Sequence, residues 1–197
     1  MGDIVNKLDM LKELFNIGVG GAATALNKIV KTKLMITVPD VYLVSASEAI
    51  ELLGPAERQV LSVYIRVSDN FPAGILIMLD DESAKKLVKL SMSGIDTQKM
   101  DELMFISVLK EIANIMTSYF LNNFSQFVKM PLSPGLPHFA LDMAGAIMQS
   151  VISEHKEKAG DLLIVKTEIY NEVEKIIMDF ILIPEDLSLK LLFEKNV

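Results

Sequence analysis

The stretch DMLKELFNIGVGGAATAL, residues 9–26, combines a helical pattern with a cluster of glycines. Its apolar side chains recur at helical spacing through Leu11, Leu14 and Phe15, after Ile4 and Leu8 earlier in the chain. This periodicity predicts an amphipathic helix over residues 3 to about 30.

Three polar residues fall on one stripe of this predicted helix. Each residue turns about 100° on an α-helix, so Glu13 and Asn16 lie about 40° and −20° around the axis from Asp9. The apolar residues lie largely off that stripe and can face a core. The helix therefore presents carboxylates and a carboxamide together on one face.

The glycines Gly18, Gly20 and Gly21 suggest a phosphate cradle at first sight. A dinucleotide fingerprint requires such glycines to follow a strand and open a helix, whereas Gly18 follows two turns of helix. We therefore expect the glycines to permit close helix packing or a kink, and the chemistry to lie in the polar residues before them.

The polar pattern occurs twice at one spacing. Asp9, Glu13, Asn16 and Pro39 lie opposite Ser107, Glu111, Asn114 and Pro137, each pair separated by 98 positions (107 against 9, 111 against 13, 114 against 16 and 137 against 39). Four matches at one offset indicate an internal duplication. We expect a single domain over residues 1–197, built from two repeats of about 1–98 and 99–197.

The predicted elements follow a similar order in both halves. The first half continues with an extended segment at 34–44, a short helix at 47–53, a hairpin of strands at 60–67 and 73–79, and a helix at 81–92. The second half has a helix at 101–124, a loop rich in proline and glycine at Pro131, Pro134, Gly135 and Pro137, and a helix at 141–154. Strands at 162–170 and 175–183 and a helical stretch opening at Pro184 complete it.

Composition excludes several classes of function. The net charge of −7 disfavours a nucleic-acid surface, which requires clustered Lys and Arg. The absence of cysteine excludes disulfides and thiolate chemistry. The uninterrupted apolar runs are strand-sized and the N-terminal residues do not resemble a secretory signal, so we expect a cytoplasmic protein without membrane insertion.

The duplicated stripe has a specific chemical capacity. A carboxamide is not a general base at neutral pH, but it can hold a water molecule in line for attack on a phosphoryl group. A nearby carboxylate can activate water or bind a cationic group on a partner. The alternative is a solvated polar helix face, which duplication makes a poorer explanation. His138 and His155 are expected to be a loop residue and a solvated helix-end residue.

The duplicated pattern resembles that of a known family. Asp or Ser, three residues, Glu, two residues, Asn, twenty-two residues and Pro is similar to the signature of the CheC-type chemotaxis phosphatases, and it is complete in both halves. The segments ELFNIGVGGAATAL (13–26) and LKEIANIM (109–116) resemble the two motif helices of that family. The likeness spans essentially the whole chain.

The resemblance implies a fold and an activity. The fold is an α/β (α+β) unit with pseudo-twofold symmetry, a largely antiparallel central sheet and two long motif helices on one face. The activity is hydrolysis of the aspartyl phosphate on the response regulator CheY. Asn16 and Asn114 would position the attacking water, with Glu13 and Glu111 as docking carboxylates that contact a regulator lysine. Supporting positions would be Asp9, Ser107, Pro39 and Pro137.

The resemblance also implies partners and alternatives. The chain would need no cofactor of its own, because Mg²⁺ and the phosphorylated carboxylate would belong to the regulator. The alternative function is an interaction protein that binds the receptor deamidase CheD, with the helix at 141–154 as a candidate contact. A structural flagellar role, as in the FliY relatives, is disfavoured because no room remains for their additional switch domain. Bulkier residues replace the glycines in the second half, so the two sites are expected to differ in activity.

Overall fold

The computed structural model describes residues 2–29, 33–67, 71–92, 100–155, 161–185 and 188. Five helices and six strands lie along these residues. In chain order they are α1 (Gly2–Ile29), β1 (Met35–Val44), α2 (Ala46–Leu52), β2 (Gln59–Val67), β3 (Ala73–Leu79), α3 (Asp81–Ser91), α4 (Glu102–Val128), β4 (Pro134–Met143), α5 (Ala144–Glu154), β5 (Leu162–Tyr170) and β6 (Lys175–Pro184).

Local signals in the sequence account for several helix ends. Asp80 and Asp101 precede α3 and α4, and each carboxylate accepts a hydrogen bond from a backbone N–H in the first turn, at 2.7 Å in both cases. Lys129 ends α4 in the left-handed conformation. Short polar residues thus fix where these helices begin.

The strand order reveals the internal symmetry. In the six-stranded sheet formed by the described residues, the order is β1-β5-β6-β3-β2-β4, and all neighbouring pairs are antiparallel. Exchanging each strand of the first half with its counterpart in the second gives the same order read backwards. The predicted pseudo-twofold fold with an antiparallel sheet is therefore confirmed. The repeat boundary near residue 98 stays a prediction, since residues 93–99 lie outside the description.

Helices cover both faces of the sheet. The long helices α1 and α4, together with α3, pack on one face and form the larger core. The short helices α2 and α5 pack on the other face around a second core. The central strand β3 is buried along its whole length, as expected for a strand covered on both faces. The predicted placement of two long motif helices on one face is confirmed.

The glycine cluster lies where α1 meets α4. The ring of Phe15 stacks on that of Phe120 with centroids 4.6 Å apart. A Cβ added at Gly18 would lie 3.2 Å from the Cα of Phe120, and one added at Gly21 would lie 2.9 Å from Cδ1 of Tyr119. These glycines therefore permit the close helix approach that was predicted for them.

One predicted segment is wrong. The expected loop around Pro134 and Pro137 is the strand β4, and the helix expected from residue 141 begins at Ala144. Because β4 is an edge strand, prolines can lie in it without removing hydrogen bonds from the centre of the sheet. The helical stretch predicted from Pro184 falls mostly outside the described residues, while the other predicted elements agree within a few residues at their ends.

The helix α4 is long and apolar enough, by length and composition alone, to be a candidate membrane span within the described residues. Its buried residues, among them Met116, Phe120 and Phe124, pack in the larger core. In the structure, 33% of its most apolar stretch is buried.

Candidate functional site

The first motif lies along the exposed side of α1, and we call it site 1 (Asp9, Glu13 and Asn16). The side chains of Asp9 and Glu13 are exposed and that of Asn16 is half-buried. The Oδ1 atom of Asn16 accepts a hydrogen bond of 3.1 Å from the backbone N–H of Val38. Val38 directly precedes Pro39 in β1, so the fold brings the motif asparagine to the strand that contains the motif proline.

A bulge in β1 marks the point where Asn16 touches the strand. Thr37 pairs with Glu168 and Asp40 pairs with Lys166, so the two residues between them lie opposite Thr167 alone. The proline in this bulge has no N–H to donate. The N–H of Val38 finds its acceptor in the side chain of Asn16.

The second motif lies along the exposed side of α4, and we call it site 2 (Ser107, Glu111 and Asn114). Ser107 and Glu111 are exposed and Asn114 is half-buried, as at site 1. The hydroxyl of Ser107 donates to the carbonyl of Leu103 at 2.8 Å within the same helix. Among the described residues, the side chain of Asn114 has no hydrogen-bond partner.

The edge strands explain why the two asparagines differ. In β4, Pro137 pairs with Ile65 and Pro134 pairs with Val67, which places the bulge at residues 135–136. This bulge lies one position earlier than its counterpart in β1. A shift of one residue turns a side chain to the other face of a sheet. Accordingly the side chain of Val38 is buried, with 2% of its surface exposed, whereas Leu136, its equivalent at the offset of 98, is 79% exposed.

Solvent reaches the free polar atoms of both amides. The Nδ2 atom of Asn16 and both polar atoms of Asn114 have no hydrogen-bond partner among the described residues, yet none is among the buried unpaired atoms. At site 1 the amide therefore offers its nitrogen and one remaining lone pair of Oδ1. At site 2 it offers both groups without constraint.

Large apolar side chains flank both stripes. Ile17 lies one helical turn beyond Glu13 and is 52% exposed, and Leu103 lies one turn before Ser107 and is 78% exposed. Met10 and Met104 are also exposed at these helix surfaces. Exposed apolar residues around polar groups are typical of protein–protein contacts. Both motifs therefore suit a macromolecular partner better than a small molecule.

A cavity lies on the face of the sheet opposite both motifs, and the sequence did not predict it. It has a volume of about 540 Å³ and lies between α5 and the strands β2 and β4, with Tyr64, Ala140 and Ser150 among its lining residues. The hydroxyl of Tyr64 is 2.9 Å from Nε2 of His155, and burial raises the pKa of Tyr64 to about 12. The sequence predicted the helix α5, but the cavity also depends on β2 and β4, which come from different halves of the chain.

Both histidine predictions need correction. His155, expected to be solvated, is 4% exposed because it packs at the end of α5 against Tyr64 and 3.5 Å from Glu185. His138, expected in a loop, is an exposed residue of β4. Its strand contains two prolines, which are typical of loops, so the sequence did not predict an extended segment there.

The fold and the two sites define a class of protein. It is an internally duplicated antiparallel sheet protein that presents the same acid and amide motif on two adjacent helices. The profile of the CheC-like family matches residues 7–43, a segment that contains Asp9, Glu13, Asn16 and Pro39. The resemblance stated from the sequence is thereby confirmed.

Known proteins extend this similarity along the chain. The CheY-P phosphatase CheC of Bacillus subtilis is 25% identical over 169 residues, which cover 84% of this chain and 81% of that protein. The crystal structure of Thermotoga maritima FliY matches with a TM-score of 0.76 and 22% identity, over 98% of both chains. The CheX–CheY–BeF₃–Mg²⁺ complex of Borrelia burgdorferi matches with a TM-score of 0.54 and 19% identity, over 88% of this chain and 96% of that one. At these identities the two structures show the shared fold.

Proposed function

We propose that this chain is a hydrolase that removes the aspartyl phosphate from a CheY-type response regulator in the cytoplasm. The observation that carries this proposal is the pair of acid and amide stripes on adjacent helices, each with amide atoms that solvent can reach. The relative named as a CheY-P phosphatase in Bacillus subtilis and the Borrelia CheX structure, solved together with CheY, support it.

In this proposal Asn16 and Asn114 insert beside the phosphoryl group and hold the attacking water. The water oxygen forms a bond to phosphorus as the bond from phosphorus to the aspartyl oxygen breaks, which releases phosphate and regenerates the carboxylate. The protons of the water leave with the phosphate. The amide contributes position, because it cannot take a proton at neutral pH. Mg²⁺ is assigned to the regulator, and no cofactor is assigned to this chain.

The remaining motif residues support docking. The exposed carboxylates of Glu13 and Glu111 would bind a regulator lysine by a charge-assisted hydrogen bond. Asp9 and Ser107 would add polar contacts one turn earlier on each helix. Pro39 and Pro137 would shape the edge strands beside the asparagines.

The test is the decay rate of a phosphorylated CheY-type regulator with the wild-type chain and with Asn16→Ala/Asn114→Ala. We expect the wild-type chain to accelerate decay and the double variant to lose about 100-fold or more of that acceleration. Asn122→Ala, an exposed asparagine of α4 outside the motif, is the matched control and should retain the wild-type rate. A wild-type chain without effect on cognate regulators would refute the proposal.

Docking is tested separately from chemistry. Glu13→Gln/Glu111→Gln keeps the shape of both side chains and removes their charge. We expect the regulator concentration for half-maximal rate to rise about threefold to tenfold, since rim-exposed charge pairs contribute modestly to binding, with the maximum rate within twofold. A fall in the maximum rate at unchanged half-saturation would assign the glutamates to chemistry instead.

The second candidate function is binding of a CheD-type deamidase. It is favoured by the open cavity along α5, which lies on the face of the sheet opposite both motifs. A partner at this face would leave both asparagines uncovered. In a pull-down with purified deamidase, the complex should survive Asn16→Ala/Asn114→Ala and be lost with Ser150→Arg, whose long charged side chain would fill the cavity. Absence of a complex with the wild-type chain would remove this candidate.

A further inference from the structure

Asn16 accepts a hydrogen bond from a backbone N–H that lies inside the bulge of β1. Val38 is almost fully buried, and a buried N–H needs an acceptor. Within the bulge, the strand β1 places two residues opposite Thr167, and the Asn16 side chain supplies the acceptor at 3.1 Å. The motif asparagine is therefore bonded to the fold before any partner arrives.

We propose that the backbone N–H of Val38 is a positioning group for the catalytic amide of site 1, an inference that rests on the proposed function. One lone pair of Oδ1 accepts this N–H, which fixes the rotation of the carboxamide. The other lone pair and the Nδ2 group remain available for the water and the phosphoryl oxygens. Site 1 is thus preorganised for the reaction.

The donor itself is held firmly beside the helix. Asn27, three turns after Asn16 on the same face of α1, accepts the N–H of Leu34 at 2.6 Å and donates to the carbonyl of Leu34 at 2.9 Å. The start of β1 and its bulge are therefore both bonded to α1. Asn16 and Asn27 of α1 therefore both bond β1 or the residue before it, and together they fix the position of the Val38 N–H.

Within the described part of the chain, site 2 has no hydrogen bond equivalent to the one between Val38 and Asn16. The bulge in β4 is one residue earlier, Leu136 turns outward, and no donor bonds the Asn114 side chain. Asn114 must therefore lose its side-chain freedom when the partner binds. Fixing one side chain in advance corresponds to a rate advantage of about threefold to tenfold for site 1.

The test removes the donor and keeps the side chain of Val38. In an Asn114→Ala background, where only site 1 acts, Val38 is replaced by its α-hydroxy analogue, so that an ester oxygen takes the place of the N–H. We expect the maximum rate of dephosphorylation to fall about threefold to tenfold, with the regulator concentration for half-maximal rate within twofold. A purely structural role for the N–H would not separate these two quantities.

The matched control is the same ester replacement at Leu136 in an Asn16→Ala background, where only site 2 acts. This change should leave the maximum rate within twofold. An unchanged rate with the Val38 ester, or equal losses at both positions, would overturn the inference while leaving the proposed function intact. A wild-type chain without phosphatase activity would instead refute the proposed function, and this inference with it.

Amide hydrogen exchange reports on the contact independently of activity. The N–H of Val38 should exchange about tenfold faster in Asn16→Ala than in the wild-type chain, because it loses its acceptor, and at the wild-type rate in Asn114→Ala. Equal exchange in all three proteins would show that Asn16 does not hold this group, and would overturn the inference.

Discussion

Site 1 and site 2 present the same acid and amide on two adjacent helices, yet the fold holds their asparagines differently. Asn16 is bonded to the bulge of β1, whereas Asn114 has no side-chain bond to the described residues. The motif residues decide which groups are presented. The register of an edge strand, through the position of one bulge, decides how firmly each group is held.

The two halves also differ on the opposite face of the sheet. In the first half, Tyr42 and Leu52 pack against the second core. Their equivalents at the offset of 98 are Ala140 and Ser150, which line the open cavity. The same fold therefore fills this space with large side chains in one half and leaves it open in the other.

A charged cluster adds to this difference. Asp40 pairs with Lys166 as His138 pairs with Tyr64, so Lys166 and Tyr64 hold equivalent positions in the sheet. Lys166 donates to Asp179 at 2.7 Å, whereas the hydroxyl of Tyr64 lies 2.9 Å from Nε2 of His155. Ion pairs therefore occupy this position on the β1–β5–β6 side of the sheet, and a Tyr–His contact occupies it on the β3–β2–β4 side.

The largest effect on stability is expected where the glycines of α1 meet α4. Gly18→Leu should lower the free energy of unfolding by about 2–3 kcal/mol, because its side chain would press on the backbone of Phe120. Gly20, which has nothing within 4 Å of its position for a Cβ, is the control. Gly20→Ala should raise the free energy of unfolding by about 0.5–1 kcal/mol through helix propensity. Urea denaturation measures both, and equal effects would contradict the close packing of α1 on α4.

A smaller loss is expected from the charged cluster around Asp179, on the side of the sheet formed by β1, β5 and β6. Asp179 is buried and bonds both Lys166 and Arg58, the latter at 3.3 Å. Asp179→Asn should cost about 1–3 kcal/mol, since it leaves two partly exposed cations without a countercharge. Glu82→Gln, which breaks an exposed pair with Lys86, should leave the unfolding temperature close to that of the wild-type chain, because solvent screens such a pair. Thermal unfolding compares them, and similar losses would show that burial of the pair adds nothing.

The smallest effect on stability is expected on the face of the sheet covered by α2 and α5, where residues at equivalent positions of the two halves are exchanged. Ser150→Leu should raise the free energy of unfolding by about 0.5–1 kcal/mol, because it adds apolar side chain to the open cavity. The reciprocal change, Leu52→Ser, should lower it by about 1–2 kcal/mol, because it removes apolar contacts from a filled space. Urea midpoints measure both changes. A stabilising Leu52→Ser would contradict the comparison of the two halves.

The sequence predicted the parts of the fold that depend on local patterns. Helical periodicity predicted α1 and α4, two strand-like apolar runs predicted the β2–β3 hairpin, and the constant offset predicted the symmetry of the sheet. The strand β4 was not predicted because its prolines are typical of loops, and only its place at the edge of the sheet makes them acceptable.

For the candidate site too, the sequence predicted only what depends on local spacing. The positions of Glu13 and Asn16 on one helix face follow from their spacing. The bond from Val38 to Asn16 depends on a bulge formed with Thr167, which is distant in sequence, so no local pattern could reveal it. Burial of His155 likewise depends on contacts with β2 and the end of β6.

The central claim is that the two motifs form two separate sites of one reaction. The most direct measurement is the maximum rate of regulator dephosphorylation with the wild-type chain, Asn16→Ala, Asn114→Ala and the double variant at saturating phosphorylated regulator. The account predicts that each single variant retains activity, that Asn114→Ala is about threefold to tenfold faster than Asn16→Ala, and that the double variant loses about 100-fold or more of the wild-type rate. Full loss of activity in either single variant, or full activity in the double variant, would contradict it.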